Sequence, residues 1–584
     1  MGQVRAQGLL KSPPLGPRSF PSAATRRCAV TIKRMPLRPL SRPLFLLLLI
    51  TGLFTFLIQS GELGTSDTTH RLQVAHSLWT GQPQVFPYEY PDFGLHGRGG
   101  RLYAWYGIGQ SLLILPADLI GSAATKLPFW HEYVLSAEDP AIRSILVSIS
   151  TNVLVNVLTA LAAFRLLGLF GFSEAESVAG VLSLLCATTH LHYAQNMAEN
   201  YYLLLLTITG FALQYKWLTT GNRRALFWGS AALGLNLLTR VTTTMDLFAA
   251  GCFILLAALF SRDGKDGRGS SEPGLGVASK RPVVATVREY LRGSLPIYAV
   301  FLVIDRIYQY IRFGSWTNTY VAIFAREQRQ MDPTLPANFP FNRGWFEGGL
   351  HSGVLGPFFM PEKSIFLFDP MFLLALLLTA LLWKRLSPAM RAFAVATWVM
   401  LAVYVLFYAR YNWWAGDFAW GDRYISSAVE LTTLLAIPLL LRYQQVLGRA
   451  VCYFGVAITG ISVAIQCASL AFWLPLEIYQ METLGHPTWV VFLRFKNIAA
   501  FALHKRAAWG LNTPSMFQDP WDAMHITTWN FLPSLLRHVG QAPLSTVYIL
   551  YCVWAAVGLA LLFASVRLAG VLRHPATDGP AGME

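Results

Sequence analysis

Charge is scarce in this sequence. Only 13% of its 584 residues are Asp, Glu, Lys or Arg, and 54% are apolar; an ordinary soluble domain carries roughly 25% charged residues. So little charge cannot cover a water-exposed surface, which excludes a soluble protein and leaves one facing mostly lipid. Acid is the scarcer sign, with 31 Asp and Glu against 46 Lys and Arg. A basic excess of +15 can signal nucleic acid, but here the cations lie between hydrophobic runs and not on one folded basic face. No nucleic-acid partner is expected. Positive-inside topology and anionic membrane lipids account for the charge instead.

Cysteine is sparse too. Cys28 lies in the basic N-terminal stretch, and Cys186, Cys252, Cys452, Cys467 and Cys552 lie inside apolar runs. None falls in a predicted outer loop, so neither a loop disulfide nor a thiolate metal site is expected. A phosphate-cradling Gly-rich loop, a nucleophile elbow and a Rossmann fingerprint are all missing, which argues against soluble nucleotide-using chemistry. The sequence shows no internal repeat.

Long apolar runs are what it does have. A helix needs about 20 mainly apolar residues to cross a bilayer. Apolar runs with basic flanks predict an all-α polytopic protein of about twelve spans, near 43–59, 141–167, 177–195, 201–218, 225–239, 244–260, 293–311, 364–383, 389–409, 423–441, 450–474 and 546–567. Residues 1–42 hold nine Lys or Arg and no Asp or Glu, which predicts a cytoplasmic tail. Leu44 to Ile58 could serve as the core of a cleaved signal, but 42 preceding residues are long for that role, and an uncleaved first helix is expected. Both termini are then on the cytoplasmic side of the cytoplasmic membrane, the second as a tail at 568–584.

The inner stretch from Ser261 to Pro282 is rich in Gly, Ser and charge and is expected to be disordered. Outer connections at 60–140, 312–363 and 475–545 are long and dense in Trp, Tyr, Phe, Pro and Gly. Loops of that length in a compact protein are usually functional. Tyr103 to Ala124 reads as an interfacial segment, with a thirteenth span as the alternative. The transmembrane domain proper is therefore placed at 43–474, followed by the outer region 475–545 and a last helix.

Few residues in these loops can carry chemistry. SDTTHRLQVAHSLWTGQP follows the first helix, and in it Asp67 and Arg71 are four apart, on one face if the stretch is helical. Such a pair is either an interfacial salt bridge or a carboxylate positioned as a general base. Glu199, in YAQNMAENYYLLLL, is the sole acid between Glu176 and Asp246 and sits where a span begins. It either caps that helix or, being costly to bury, serves a function. Arg240 stands between two apolar runs. Lys363 and His351 lie in GGLHSGVLGPFFMPEKSIFLFDP, and Arg410, Asp417, Asp422 and Arg423 in RYNWWAGDFAWGDRYIS. Cations beside aromatic rings at a membrane surface suit a lipid phosphate, although snorkelling Arg in an aromatic belt looks the same. His70, His76, His96 and His131 match no zinc spacing.

In ordered pieces these segments resemble the C-type (GT-C fold) membrane glycosyltransferases, the group that includes protein O-mannosyltransferases and the lipid A aminoarabinose transferase. SDTTHRLQVAHSLWTGQP resembles the acidic first-loop motif, LYAWYGIGQSLLILPADLIG the Tyr-Pro-Pro-Gly segment after it, YAQNMAENYYLLLL the second acidic position, and LGLNLLTRVTT the following Arg segment. FGSWTNTY, GLHSGVLGPFFMPEKSIFLFDP and WAGDFAWGDRYI resemble later segments of bacterial relatives. The resemblance covers roughly Gly61 to Leu441. It departs at Asp67-Thr68, where many relatives have Asp-Glu, and at Gly107-Ile108, where they have paired prolines.

The resemblance implies transfer of a sugar from a polyprenyl-phosphate-linked donor to a glycan, lipid or protein acceptor on the extracytoplasmic side. An inverting displacement would use Asp67 as the base, with Arg423, Arg240 and Lys363 on the donor phosphate. Arg71 and His351 would orient groups or meet the acceptor, and Glu199 would orient the acceptor or help hold a divalent ion, the need for which stays open. A transporter or lipid flippase is the rival class, supported by Asp305 and Arg306 in the seventh apolar run.

Overall fold

The computed structural model describes residues 40–127, 141–263, 282–416, 419–473, 475–482, 484–505, 528–538 and 542–573. The basic tail before Leu40, His131, most of the 261–282 loop, Asp417 and the end of the chain lie outside them.

Helix α1 (Arg42–Leu57) opens with Pro43 in its first turn, where a missing N–H costs nothing. Its hydroxyls are satisfied within the helix, Thr51 donating to the Leu47 carbonyl at 2.9 Å and Thr55 to that of Thr51 at 2.7 Å, as a lipid surrounding demands. After it come α2 (Ser66–Thr80), the two-stranded hairpin of β1 (Gly94–His96) and β2 (Leu102–Ala104), and α3 (Gly109–Ala124). The strands are antiparallel with Leu95 opposite Tyr103. The stretch from Tyr103 to Ala124 is thus part strand and part helix. Helix α3 turns Asp118 inward, fully buried, and leaves Leu119 and Ile120 exposed, the reverse of a helix facing water.

The bundle continues with α4 (Ala141–Leu169), α5 (Glu174–Cys186), α6 (His190–Gln195), α7 (Glu199–Thr220), α8 (Arg223–Leu237), α9 (Thr244–Asp263) and α10 (Val283–Phe313). An outer helix α11 (Tyr320–Met331) precedes two single turns, α12 (Gly356–Phe359) and α13 (Ile365–Phe368). Then follow α14 (Met371–Leu382), α15 (Pro388–Tyr408), α16 (Ser426–Thr433), α17 (Ala436–Arg442), α18 (Gln444–Ser469), α19 (Pro475–Glu482), α20 (Val490–Ala502), α21 (Leu532–His538) and α22 (Leu544–Arg573).

Each of the twelve apolar runs contains helix, but three are broken. Pro370 forces Asp369 out of helical geometry (φ −127°, ψ 66°), separating α13 from α14. Pro438 lies in the first turn of α17, where its ring would meet the carbonyl of Leu434, and the chain breaks there between α16 and α17. The third break separates α5 from α6. Among the described residues five helices are long and apolar enough to cross a membrane: Ile142–Leu169, Val241–Ser261, Pro388–Tyr408, Gln444–Ser469 and Leu544–Arg573. On α22 the apolar side chains Leu559, Leu562, Phe563 and Val566 face outward, each more than half exposed.

Lipid is as apolar as leucine, so packing and buried polar bonds must hold such helices together. Phe211, Phe253 and Phe393 meet at centroid distances of 5.5–5.8 Å between α7, α9 and α15. Gln214, Tyr290 and Tyr298 join α7 to α10, with Gln214 donating to the Tyr298 hydroxyl at 2.7 Å and accepting from Tyr290 at 3.1 Å. In α10, Asp305 is paired with its neighbour Arg306.

Candidate active site

Helix α2 begins where Thr65, in extended geometry, caps it by accepting from the Thr68 N–H at 3.2 Å. Asp67 therefore sits in the first turn, where free N–H groups favour a carboxylate. It accepts from Arg423 Nη1 at Oδ2 and from the Tyr106 phenol at Oδ1, each at 2.8 Å. Burial, the largest influence, pushes this carboxyl upward. The charges of Arg423 and Arg71 and the bonds from Tyr106 and Arg423 outweigh it, bringing the pKa down to about 2.

Asp67 and Arg71 do share a face of α2, but they do not form the salt bridge that the spacing suggests. Arg71 Nη2 instead donates to Glu199 Oε2, while its guanidinium lies 4.4 Å over the Tyr106 ring. Glu199, the first residue of α7, takes Arg240 on its other oxygen. Two guanidiniums thus bracket one carboxylate, all three groups buried. A divalent cation at Glu199 would have to displace both, and no group of three or more metal-ligating side chains occurs among the described residues.

Backbone geometry fixes the partners. Met197 has φ +52°, unusual for a residue other than glycine, and its carbonyl accepts from Thr68 and Gln110 at 3.1 and 3.0 Å. That turn ties α2, α3 and the start of α7 together just before Glu199. Gly107 and Gly109 press against the segment leading to Arg240: a Cβ on either would lie 2.2 Å from Leu238 O or Thr239 Oγ1. Gly109 N–H also donates to the Leu238 carbonyl at 2.9 Å. The segments that carry Tyr106 and Arg240 are thereby held together.

Arg423 approaches from the other half of the chain. Its carbonyl accepts from Asn200, which also donates to Ser426 Oγ at 2.7 Å, and its guanidinium lies 5.4 Å from the Tyr424 ring centroid. Arg240 lies 5.1 Å from the same ring. Lys363 meets the loop that carries Arg423. It donates to the carbonyls of Ala419 and Gly421 at 2.9 and 3.2 Å, bracing the loop that presents Asp422 and Arg423. Burial raises the Asp422 carboxyl to about 7, against the lowering influence of the Tyr424 N–H, Lys363, Arg423 and Arg240. His351 is exposed on a separate turn, where its carbonyl accepts from Arg343 at 3.2 Å, and no contact joins it to the cluster among the described residues.

Asp67, Arg71, Glu199, Arg240 and Arg423 therefore converge. Asp67 and Arg423 form the accessible lip, with 22% of each side chain exposed, and the other three lie sealed beneath. Tyr106, Asn200, Tyr424 and Asp422 complete the arrangement. Sequence reading named Asp422 but not Tyr106, Asn200 or Tyr424, since a tyrosine or asparagine near a membrane surface has no distinguishing spacing.

No protein-family model matches the chain, and no curated protein matches it in sequence. Among solved structures it is similar to the Archaeoglobus fulgidus oligosaccharyltransferase in the apo form, at 14% identity and a TM-score of 0.38, over 77% of this chain and 55% of that one. The same enzyme tethered to an acceptor peptide gives 14% identity and 0.38 over 77% and 54%. The A. fulgidus oligosaccharyltransferase AglB with an inhibitory peptide and a dolichol-phosphate gives 12% and 0.37 over 83% and 59%. The chain spans little more than half the length of these structures.

Proposed function

We propose that this chain is a membrane glycosyltransferase. It moves a sugar from a polyprenyl-phosphate-linked donor to an acceptor hydroxyl on the extracytoplasmic side of the cytoplasmic membrane, with inversion. The acceptor is a glycan, lipid or protein. The observation that carries the reading is the meeting of a carboxylate, Asp67, with a guanidinium, Arg423, on the accessible lip of a site in which Arg71, Glu199 and Arg240 are buried and paired.

In a single displacement at a sugar carbon, a base takes the acceptor's proton on one face while the leaving group departs on the other. Asp67 is the base. The departing phosphate gains charge, which a guanidinium fixed nearby can stabilise without reorganising. Arg423 fills that role, with Arg240 behind it adding positive potential and Lys363 bracing the loop. Glu199 keeps Arg71 and Arg240 oriented. The twelve helical segments would all belong to the membrane domain, with both termini cytoplasmic.

The experiment is sugar transfer by the purified chain in nanodiscs, using a panel of radiolabelled polyprenyl-phosphate sugars and mixed acceptors. At least one donor should be consumed by the wild type and not by Asp67→Asn. A chain that consumes none across the panel would contradict the reading.

A further inference from the structure

Both oxygens of Asp67 are already occupied. Tyr106 donates to Oδ1 and Arg423 to Oδ2, each at 2.8 Å. A carboxylate accepting two such bonds, one from a cation, keeps lone pairs on both oxygens but is a weaker base toward an incoming hydroxyl. It also has a low affinity for that hydroxyl's proton: the group sits at about 2, whereas a general base works best with a pKa near the working pH. The site as it stands is set for holding Asp67, not for using it.

The two partners differ in charge: Tyr106 is neutral, and Arg423 carries the cation that a phosphate would attract. Tyr106 lies under the Arg71 guanidinium, 4.4 Å from its ring centroid, and packs against the Val74, Val85 and Ala104 cluster, just before Gly107 and Gly109 press on residues 238–239. Arg423 has its main chain held by Asn200 and its Cγ set close against Gly416, and its guanidinium end reaches the accessible lip beside the Tyr424 ring.

We infer that the donor's phosphate is the switch that turns Asp67 into a base, by drawing Arg423 onto itself and freeing Oδ2 while Tyr106 holds Oδ1 in place. Donor binding then precedes acceptor activation. The inference rests on the proposed transferase reading. The acceptor O–H gives its proton to Asp67 Oδ2, the acceptor oxygen forms the new bond to the sugar's C1, and the C1–O bond to phosphate breaks. Its electron pair stays on the phosphate oxygen facing Arg423. Tyr106 is a positioning residue in this scheme, and Arg423 serves base and leaving group in turn.

The test uses the full chain in phosphatidylcholine nanodiscs with ¹³C-labelled aspartate and farnesyl phosphate as the probe. Infrared difference spectra follow the Asp67 carboxylate, identified by its loss in Asp67→Asn and independently by its displacement in Tyr106→Phe, which removes one hydrogen bond and no charge. Farnesyl phosphate should raise the Asp67 titration midpoint by a unit or more, toward the ordinary carboxylate value of about 4. Tyr106→Phe should raise it without any phosphate. Phosphatidylglycerol nanodiscs and inorganic phosphate should each leave it unmoved, and an equal shift from either would mean that any phosphate group, not the donor, is the switch. Saturable farnesyl phosphate binding with an unmoved Asp67 midpoint would overturn the switch and leave the donor site standing. An absence of farnesyl phosphate binding would overturn both.

Discussion

Asp67 and Arg423 are 356 residues apart in the chain and meet with Arg423 Nη1 2.8 Å from Asp67 Oδ2. The contact joins the first loop to the loop before α16. Of the charged groups brought together here, only these two lie on the accessible lip.

Replacing Arg423 with Lys keeps the charge but loses the planar fork that can hold a phosphate at two points while lying on an aromatic ring. Arg423→Lys should raise the KM for the donor about tenfold or more at unchanged acceptor KM, with the apparent melting temperature nearly unmoved. Steady-state kinetics with each substrate varied separately would check it. Unchanged donor KM in both Arg423→Lys and Arg423→Ala would reduce Arg423 to a member of an aromatic belt.

Glu199→Gln removes the carboxylate between Arg71 and Arg240 and leaves two buried guanidiniums without their anion. Breaking a buried pair of this kind costs about 3–5 kcal/mol, so the variant should melt well below the wild type. If Glu199 served only to touch substrate, transfer would fall while melting stayed the same.

Asp422 supplies a pH dependence. Its carboxyl is raised to about 7 in the folded chain, against an ordinary value of about 3.9 when unfolded. Between these limits the folded state binds more protons than the unfolded one, so stability falls as pH rises from about 4 to 7 and levels off above. Asp422→Asn should flatten that part of the curve and melt higher than the wild type at pH 8. Melting measured across pH 4 to 8 would check it, and equal slopes in both proteins would contradict the assignment.

Sidedness is tested with single cysteines on a cysteine-free background. Ser66 and Leu350 are both exposed, and Ser66→Cys and Leu350→Cys should each react with a membrane-impermeant maleimide added to intact cells. Reaction at either position only after lysis would place that loop in the cytoplasm and remove the proposed site from the outer face.

Much of the fold could be read from apolar run length and basic flanks. Residues 141–167 and 389–409, for example, fall within single long helices at Ala141–Leu169 and Pro388–Tyr408. The breaks were less legible. Pro370 and Pro438 lie inside apolar runs whose hydropathy continues across them, and hydropathy reports what a segment dissolves in, not whether its helix is continuous. Within the site, Asp67 and Glu199 stood out because a carboxylate beside a span is costly. Their partners did not: helical spacing paired Asp67 with Arg71, whereas Arg71 turns to Glu199 and Asp67 to Arg423. Spacing along one helix cannot reveal a neighbour brought from several helices away. Lys363 was read from its place among aromatic residues, and its contacts with the Ala419 and Gly421 carbonyls are visible only in three dimensions.

The central claim is that Asp67 accepts the acceptor's proton, and Asp67→Asn tests it most directly because Asn keeps the shape and loses the basicity. Transfer rate and farnesyl phosphate binding would be measured on the purified variant, with melting as the control for folding. The account predicts a fall in turnover of about 10²–10⁴, with binding of the lipid phosphate retained. Full turnover in a folded Asp67→Asn protein would contradict it.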